Sequence, residues 1–442
     1  MLVGIVVAVA IALRWGFVAT AIVPDPLRVD AGQYAQCAHN LVVHGVYSLS
    51  TEIPPLPDSF RSPGYPLFLA ACRLVGGEAN WMKWALALQV GLGSLTVLLC
   101  YRVARGCLSF APALAASALC ALSPHLVVSC AYVLTECVTA FVLALGLWLI
   151  GPAPERRAWR RALGALVLGC AALCNETLVF VPVVAAWPLL RRLGFWRTVG
   201  FLFLALLPLL AWTVRNQAQP LARTGGERMV ASISHGSYPG MVFRDPRLVG
   251  MPYSEDPEQP AFGTSWGKLG EVLQRRVTEE PWRYASWYLL EKPLWLWRWD
   301  HVQGHGALVY DVSNSPYERQ PVMAASQWLM RWLHVPVMLL AASGALVLAL
   351  NRRRRFGFLA QVLGLLAVLG TLAYLPVIPD PRYLQPLRPF LFVLACGVAA
   401  AVARLVQRTR GCSREVSSAA ENGGQIFQLG LPTSSRTAPP SS

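Results

Sequence analysis

One recurrence constrains this chain above all others. Apolar runs near 2–23, 84–101, 110–128, 133–150, 199–214, 333–350, 357–378 and 388–403 alternate with short Arg clusters. A membrane-crossing helix needs about 20 apolar residues, because lipid offers no hydrogen-bond partner and the backbone must satisfy itself. Composition bears on the same point. Charged residues are 14% of the chain, against about 25% in soluble globular proteins. That is too few to cover a water-exposed surface, which excludes an ordinary soluble enzyme and a disordered chain. The net charge of +15 lies between apolar runs and not along one polar face, which argues against a nucleic-acid partner. The expected fold is an all-α polytopic membrane protein whose solvent is the lipid bilayer.

The stretch 162–190 is too long for one untilted span and short for two, with Asn175 and Glu176 at its middle. It predicts a hairpin of two short helices and brings the total to about ten spans. Arg102 and Arg105, Arg156 to Arg161, Arg191 to Arg197, Arg352 to Arg355 and Arg404 to Arg410 then fall on one side. Short loops rich in Lys and Arg stay cytoplasmic, so both termini are expected inside. Twelve of the 23 carboxylates lie between Gln217 and Val322 and five more between Pro24 and Asn80, which assigns these long loops to the exterior. The chain divides into a membrane module, 1–215, holding a first exterior loop at 24–80; a mainly helical exterior region, 216–322; C-terminal membrane helices, 323–405; and a Ser-, Gly- and Pro-rich tail, 406–442, expected to be disordered. Ala19-Thr20-Ala21 resembles a signal-peptide cleavage site, but residues 1–23 lack a basic start and are long enough to span, which predicts a retained first helix.

Polar residues that fit no plain scaffold gather at the exterior helix ends. Asp30 directly follows the first span and opens an amphipathic stretch with Tyr34, Ala38 and Leu41 at helical spacing; it is either a helix N-cap or a functional carboxylate. In Ser59-Phe60-Arg61-Ser62-Pro63-Gly64-Tyr65-Pro66 a rigid turn holds Arg61 at the interface, where it suits a phosphate or a lipid head group equally. Glu136 lies in an apolar sequence near a helix end, as a functional group or an interhelical hydrogen bond. Ile378-Pro379-Asp380-Pro381-Arg382-Tyr383 offers Arg382 as an anion ligand, with Tyr383 and Arg388 explained by interfacial anchoring. Arg14, inside the first span, either snorkels or faces the bundle, or else holds a buried carboxylate or phosphate. The Trp-dense stretch 281–300 reads as an interfacial or re-entrant helix, with an aromatic wall for sugar or prenyl chain as the alternative. No Cys-x-x-Cys pair occurs and 217–322 holds no Cys, so neither a disulfide scaffold nor a Cys-type zinc site is expected, although Cys37 and Cys72 could pair. His39 and His44 do not share a helix face.

Taken in order, Asp30, Tyr34, Leu41 and Gly45-Val46-Tyr47-Ser48, then Arg61 to Ala70, resemble the start of GT-C glycosyltransferases. The likeness is to the dolichyl-phosphate-mannose protein mannosyltransferases and their bacterial relatives. Ser123-Pro124 with Leu134-Thr135-Glu136, Pro208 with Trp212, Arg215 and Asn216, and Arg382-Tyr383 with Pro386 resemble later motifs. The likeness extends over about residues 1 to 405. Ser62 stands where the family often has a first proline, and Asp30-Ala31 replaces an acidic pair, which favours a bacterial-type relative at the inner membrane.

The resemblance implies an inverting transfer of sugar from a polyprenyl-phosphate donor to a glycan, lipid or protein acceptor on the exterior face. Asp30 would be the general base, Glu136 a second acid–base or acceptor-orienting group, and Arg61, Arg382 and Arg215 the donor-phosphate ligands. Tyr34, Tyr65 and Tyr383 would line the substrate. No metal site is read from the sequence and no cofactor is required by it, with a divalent ion left open. Two alternatives stay open: a transporter, whose site belongs near the membrane midplane on broken helices, and a polymerase or ligase of lipid-linked glycans.

Overall fold

A computed structural model describes residues 1–151, 153–155, 157–241, 251–299, 310–350 and 357–426. Arg156, Arg352 to Arg355 and the end of the tail, 427–442, lie outside the described residues. Helices α1 (Leu2–Thr20), α2 (Asp30–His44), α3 (Gly64–Ala104), α4 (Phe110–Leu122), α5 (Glu136–Ile150), α6 (Ala158–Cys174), α7 (Phe180–Leu193) and α8 (Phe195–Gln217) build the first module. The region 216–322 carries α9 (Gly225–Gly236) and α10 (Trp266–Glu279), followed by shorter helical pieces. Then come α11 (Pro321–Leu350), α12 (Phe358–Tyr374) and α13 (Arg388–Ile426). Among the described residues the only extended pairing is an isolated antiparallel bridge between Ile22 and Ser313. The protein is an all-α polytopic membrane protein. Five described helices are long and apolar enough to cross a membrane, or six if the bent pair Phe110–Leu122 and Pro124–Ala131 counts as one span. The apolar helices α5 and α12 are shorter.

Each break in the apolar pattern has a local cause. In α3, Gly77 leaves the helix at φ 62°, and Arg73 and Glu78 pair across the kink. Pro124 denies its N–H to the preceding turn, and the chain bends by 55° after Leu122. That bend exposes the last carbonyls of α4, which have no intrahelical donor. Arg14 satisfies them, donating to the carbonyls of Cys120 and Ala121 at 3.3 Å and to Ala10 at 3.2 Å. It therefore faces the bundle, fully buried, and its partners are carbonyls instead of the carboxylate or phosphate entertained from the sequence. The stretch 162–190 does divide into two helices, α6 and α7, joined at Asn175–Val179.

Cys37 and Cys72 are both free thiols. One further expectation changes. Helix α13 runs on to Ile426, past the start of the tail assigned to disorder; the Ala- and Glu-containing segment 413–421 has enough helix propensity to continue a helix already begun.

Helices α5 and α6, α6 and α8, α3 and α5, and α11 and α13 form the main packing pairs. Lipid supplies no hydrophobic drive between helices, so small residues at crossings decide how closely backbones approach. Gly169 of α6 is one such contact: a Cβ there would sit 2.1 Å from the Ala205 carbonyl oxygen of α8. Gly169→Ala must push the two helices apart, and overpacking of this kind costs about 1–3 kcal/mol. A lowered thermal unfolding midpoint in detergent is expected; an unchanged midpoint would contradict the close packing of α6 on α8.

Candidate active site

The chain segments at 30, 61, 136 and 382 are distant in sequence, and the fold brings them to one place. Val29 precedes Asp30 at φ 49°, a left-handed conformation rarely tolerated by a β-branched residue. Asp30 then opens α2, yet its side chain does not cap the helix, which decides against the N-cap alternative. One carboxylate oxygen accepts from Arg61 Nη2 at 2.5 Å and the other from Arg382 Nη2 at 2.9 Å. Positions i, i+3 and i+4 share a helix face, and α2 uses all three on Arg61. Gln33 Oε1 accepts from Arg61 Nε at 2.6 Å, and the guanidinium lies 5.2 Å from the Tyr34 ring centre.

Glu136, the first residue of α5, forms an ion pair with Arg382 Nε at 3.1 Å. Arg382 sits in a 3₁₀ turn, Pro381–Leu387, which the Asp380 side chain caps by accepting from the Arg382 backbone N–H at 2.9 Å. The resulting row, Arg61–Asp30–Arg382–Glu136, alternates in sign and sums to zero. These side chains are only 8–17% exposed, so the pairs are not the weak surface kind. Burial alone would raise the Asp30 pKa. The Arg61 and Arg382 guanidinium groups outweigh it and hold the carboxyl down at about 2.

The row opens on a cavity of about 600 Å³. One side is polar, with Asp30, Tyr34, Arg61, Glu136, Arg382 and Tyr383; another is apolar, with Val179, Phe180, Met229, Ile233 and Ala373. Tyr383 stacks on Tyr374 with ring centres 5.6 Å apart, and Asn175 Nδ2 donates to the Tyr374 hydroxyl at 2.9 Å. Asn175 and Glu176, which mark the hairpin turn in the sequence, thus line the same cavity, as does Arg228 of α9.

Not every candidate joins this group. Arg215 donates to the carbonyls of Asp58 at 2.9 Å and Tyr47 at 3.3 Å and lies 4.8 Å from the Trp212 ring centre. It braces the first loop from a neighbouring cleft and does not line the cavity. Tyr65 is buried behind Tyr34, its hydroxyl donating to Gln89 Oε1 at 2.8 Å. Arg388 is buried and donates to the Arg298 carbonyl at 3.1 Å, so it is not an interfacial anchor; Tyr383 lines the cavity instead of the interface. None of the described Trp residues lines the cavity. In the Trp-dense stretch Trp287 is buried, its indole donating to the Gly236 carbonyl at 3.0 Å.

Three residues at the site went unassigned in the sequence. Gln33 had one usable signal, its place three residues after Asp30. Glu176 had a strong one, a carboxylate amid an apolar stretch. Arg228 had none, being one of many charges in a polar region. Among the described residues no group of three or more His, Cys, Asp or Glu side chains is placed to hold a metal ion.

A depressed folded-state pKa means that the Asp30 carboxylate contributes stability in full above its ordinary value of 3.8 and loses it as pH falls through about 2. The unfolding midpoint of the wild type should therefore fall more steeply than that of Asp30→Asn between about pH 4 and pH 2. Parallel profiles would contradict the double ion pair.

No protein-family model matches the chain, and no curated protein matches it. Among solved structures the fold is similar to ArnT from Cupriavidus metallidurans bound to undecaprenyl phosphate, with a TM-score of 0.49 and 15% identity over 90% of this chain and 59% of that one. It is also similar to the Archaeoglobus fulgidus oligosaccharyltransferase in complex with Zn and sulfate, with a TM-score of 0.48 and 13% identity over 95% of this chain and 51% of that one. The apo form of the same ArnT aligns with a TM-score of 0.39 and 16% identity, covering 89% of this chain and 77% of that one. The chain thus spans 59% and 51% of the first two neighbours' lengths.

Proposed function

We propose that this protein is an inverting membrane glycosyltransferase that moves a sugar from a polyprenyl-phosphate donor to an acceptor hydroxyl at the exterior membrane surface. The observation that carries the reading is one carboxylate, Asp30, shared between two guanidinium groups from residues 61 and 382 and lining a cavity with an apolar flank. Such a donor has a greasy chain, an anionic phosphate and a reacting carbon beside it. It needs cations and a base at the level where lipid meets water.

Helix ends support the exterior placement. In α6, Arg160 and Arg161 lie near the start and the cavity residues follow its end; in α7 the order is reversed, with Phe180 at the cavity and Arg191 and Arg192 in the last turn. The Arg clusters and the site therefore sit at opposite ends of the same helices, about 17–21 Å apart at 1.5 Å per residue. Clusters of this kind mark the cytoplasmic side.

The chemistry follows from what the phosphate does to the row. A carboxyl held at about 2 is a feeble base. Donor phosphate entering beside Arg61 and Arg382 competes for both guanidinium groups in bidentate fashion. Asp30 then loses its counter-charges while staying buried, so its proton affinity rises at the moment a base is needed. The acceptor oxygen attacks the anomeric carbon from the face opposite the phosphate, its proton passes to Asp30, and the carbon–oxygen bond to phosphate breaks. The electron pair departs with the polyprenyl phosphate, whose growing charge Arg61 and Arg382 stabilise. Glu136 keeps Arg382 aimed when Asp30 lets go.

The first test incubates purified protein in vesicles with a panel of radiolabelled polyprenyl-phosphate sugars and envelope extract. Asp30→Asn should insert normally and lower transfer about 10²–10⁴-fold, the usual worth of a general base; near-normal turnover would remove Asp30 from the mechanism. Arg61→Ala should weaken donor use about 10–100-fold, through loss of a charge-assisted bond worth roughly 1.5–3 kcal/mol. A pH series provides a sharper check. The acid limb of kcat, set in the donor complex, should lie at higher pH than that of kcat/KM, set in the free enzyme. Coincident limbs would refute activation of Asp30 by the donor.

A further inference from the structure

The two arginines of the row sit on segments that cannot aim themselves. Arg61 follows the irregular stretch 57–60, and Arg382 follows the irregular residues Pro376 to Asp380. Both segments are gripped from outside by the exterior region. On the Arg61 side, Ala222 N–H donates to the Pro57 carbonyl at 2.9 Å and Ser59 N–H to the Arg223 carbonyl at 2.9 Å. Arg228 Nε donates to the Phe60 carbonyl at 2.8 Å. The same guanidinium pairs with Glu176, which accepts a hydrogen bond from Ser62 Oγ. Both chain neighbours of Arg61 are thereby fixed, one by Arg228 and the other by Glu176.

On the Arg382 side, Lys292 is fully buried. Its ammonium group donates to the carbonyls of Leu375 at 2.5 Å, Val377 at 3.0 Å and Pro376 at 3.4 Å, the residues that leave α12 and lead to the Arg382 turn. Gly236 closes α9 backbone to backbone on the same segment, for a Cβ there would sit 2.4 Å from the Val377 carbonyl carbon. The Trp287 indole donates to the Gly236 carbonyl at 3.0 Å and so joins Lys292's helical segment to the end of α9. One helix, α9, therefore carries Arg228 near its start and Gly236 at its end, and the two ends rest on the two arginine-bearing segments.

We propose that α9, with Arg228 and Lys292 as its two fasteners, is a strut that sets the gap between Arg61 and Arg382 and so the fit of the donor phosphate. This rests on the reading that these two arginines bind that phosphate. Arg228 and Lys292 are positioning residues and act through the arginines they hold.

The test measures affinity of the full-length protein for undecaprenyl phosphate in vesicles, independently of any sugar transfer. Arg61→Ala should weaken binding about 10–100-fold, the worth of a charge-assisted bond. Arg228→Gln and Lys292→Met should each weaken it severalfold, with Arg228→Lys and Lys292→Arg recovering part of the loss. Because Arg228 acts through Arg61, the double variant Arg61→Ala/Arg228→Gln should bind no more weakly than Arg61→Ala alone. If Arg228→Gln fails to insert, Arg228→Lys carries the test: it keeps the charge but cannot reach Phe60 and Glu176 together, and intermediate affinity is expected. Wild-type binding by the Arg228 and Lys292 variants beside a weakened Arg61→Ala overturns the strut alone. Additive losses in the double variant also overturn it, since Arg228 would then touch phosphate itself. Unchanged binding by Arg61→Ala overturns the phosphate site and the strut together.

Discussion

A carboxylate shared between two guanidinium groups in a poorly solvated place is the interaction on which the site depends. Taking an ion out of water costs several kcal/mol, and removing one member of a buried pair leaves its partner uncompensated. Here each of four ions has at least one neighbour of opposite sign, and the row as a whole is neutral. Arg61, Asp30, Arg382 and Glu136 can therefore be buried together, although none could be buried alone. The same neutrality makes the row responsive. An incoming anion cannot be added without displacing Asp30 from its partners.

The surrounding architecture serves that row by putting each member at an element's edge. Asp30 and Glu136 start helices, Arg61 lies just before α3, and Arg382 lies in the turn before α13. Helix starts carry partial positive charge, which suits the two carboxylates. The region 216–322 holds the two arginine segments at their backbones. The cations it brings to those segments, Arg228 and Lys292, contact carbonyls and Glu176, leaving the charges of Arg61 and Arg382 for their shared partner Asp30.

Much of this was legible because ionisable groups are rare in apolar sequence. Asp30, Arg61, Glu136 and Arg382 each stood out against their surroundings, and the fold unites all four. Arg215 entered through the family resemblance and lies elsewhere, because a cation near a helix end can also bind loose loop carbonyls, as it does with Asp58 and Tyr47. Position in the chain does not separate these outcomes. Arg228 and Lys292 were hidden for the opposite reason, since charge is common in the polar region 216–322. What marks Lys292 is its burial, a property of tertiary packing. Glu176 was visible but served only to mark the hairpin turn, since a turn residue and a cavity residue read alike until the turn's neighbours are known. The helical segments were legible from apolar run length, whereas the kink at Gly77 was not. Glycine at φ 62° takes a backbone conformation that a side chain would strain, and so permits the break.

The central claim is that donor phosphate takes the place of the Asp30 carboxylate between Arg61 and Arg382. A structure of the protein determined with a polyprenyl phosphate bound tests this most directly. The account predicts phosphate oxygens within hydrogen-bond distance of both guanidinium groups, the Asp30 carboxylate released from at least one of them, and the prenyl chain leaving along Val179, Phe180 and Ala373. Phosphate bound elsewhere, with both Asp30 ion pairs intact, would contradict it.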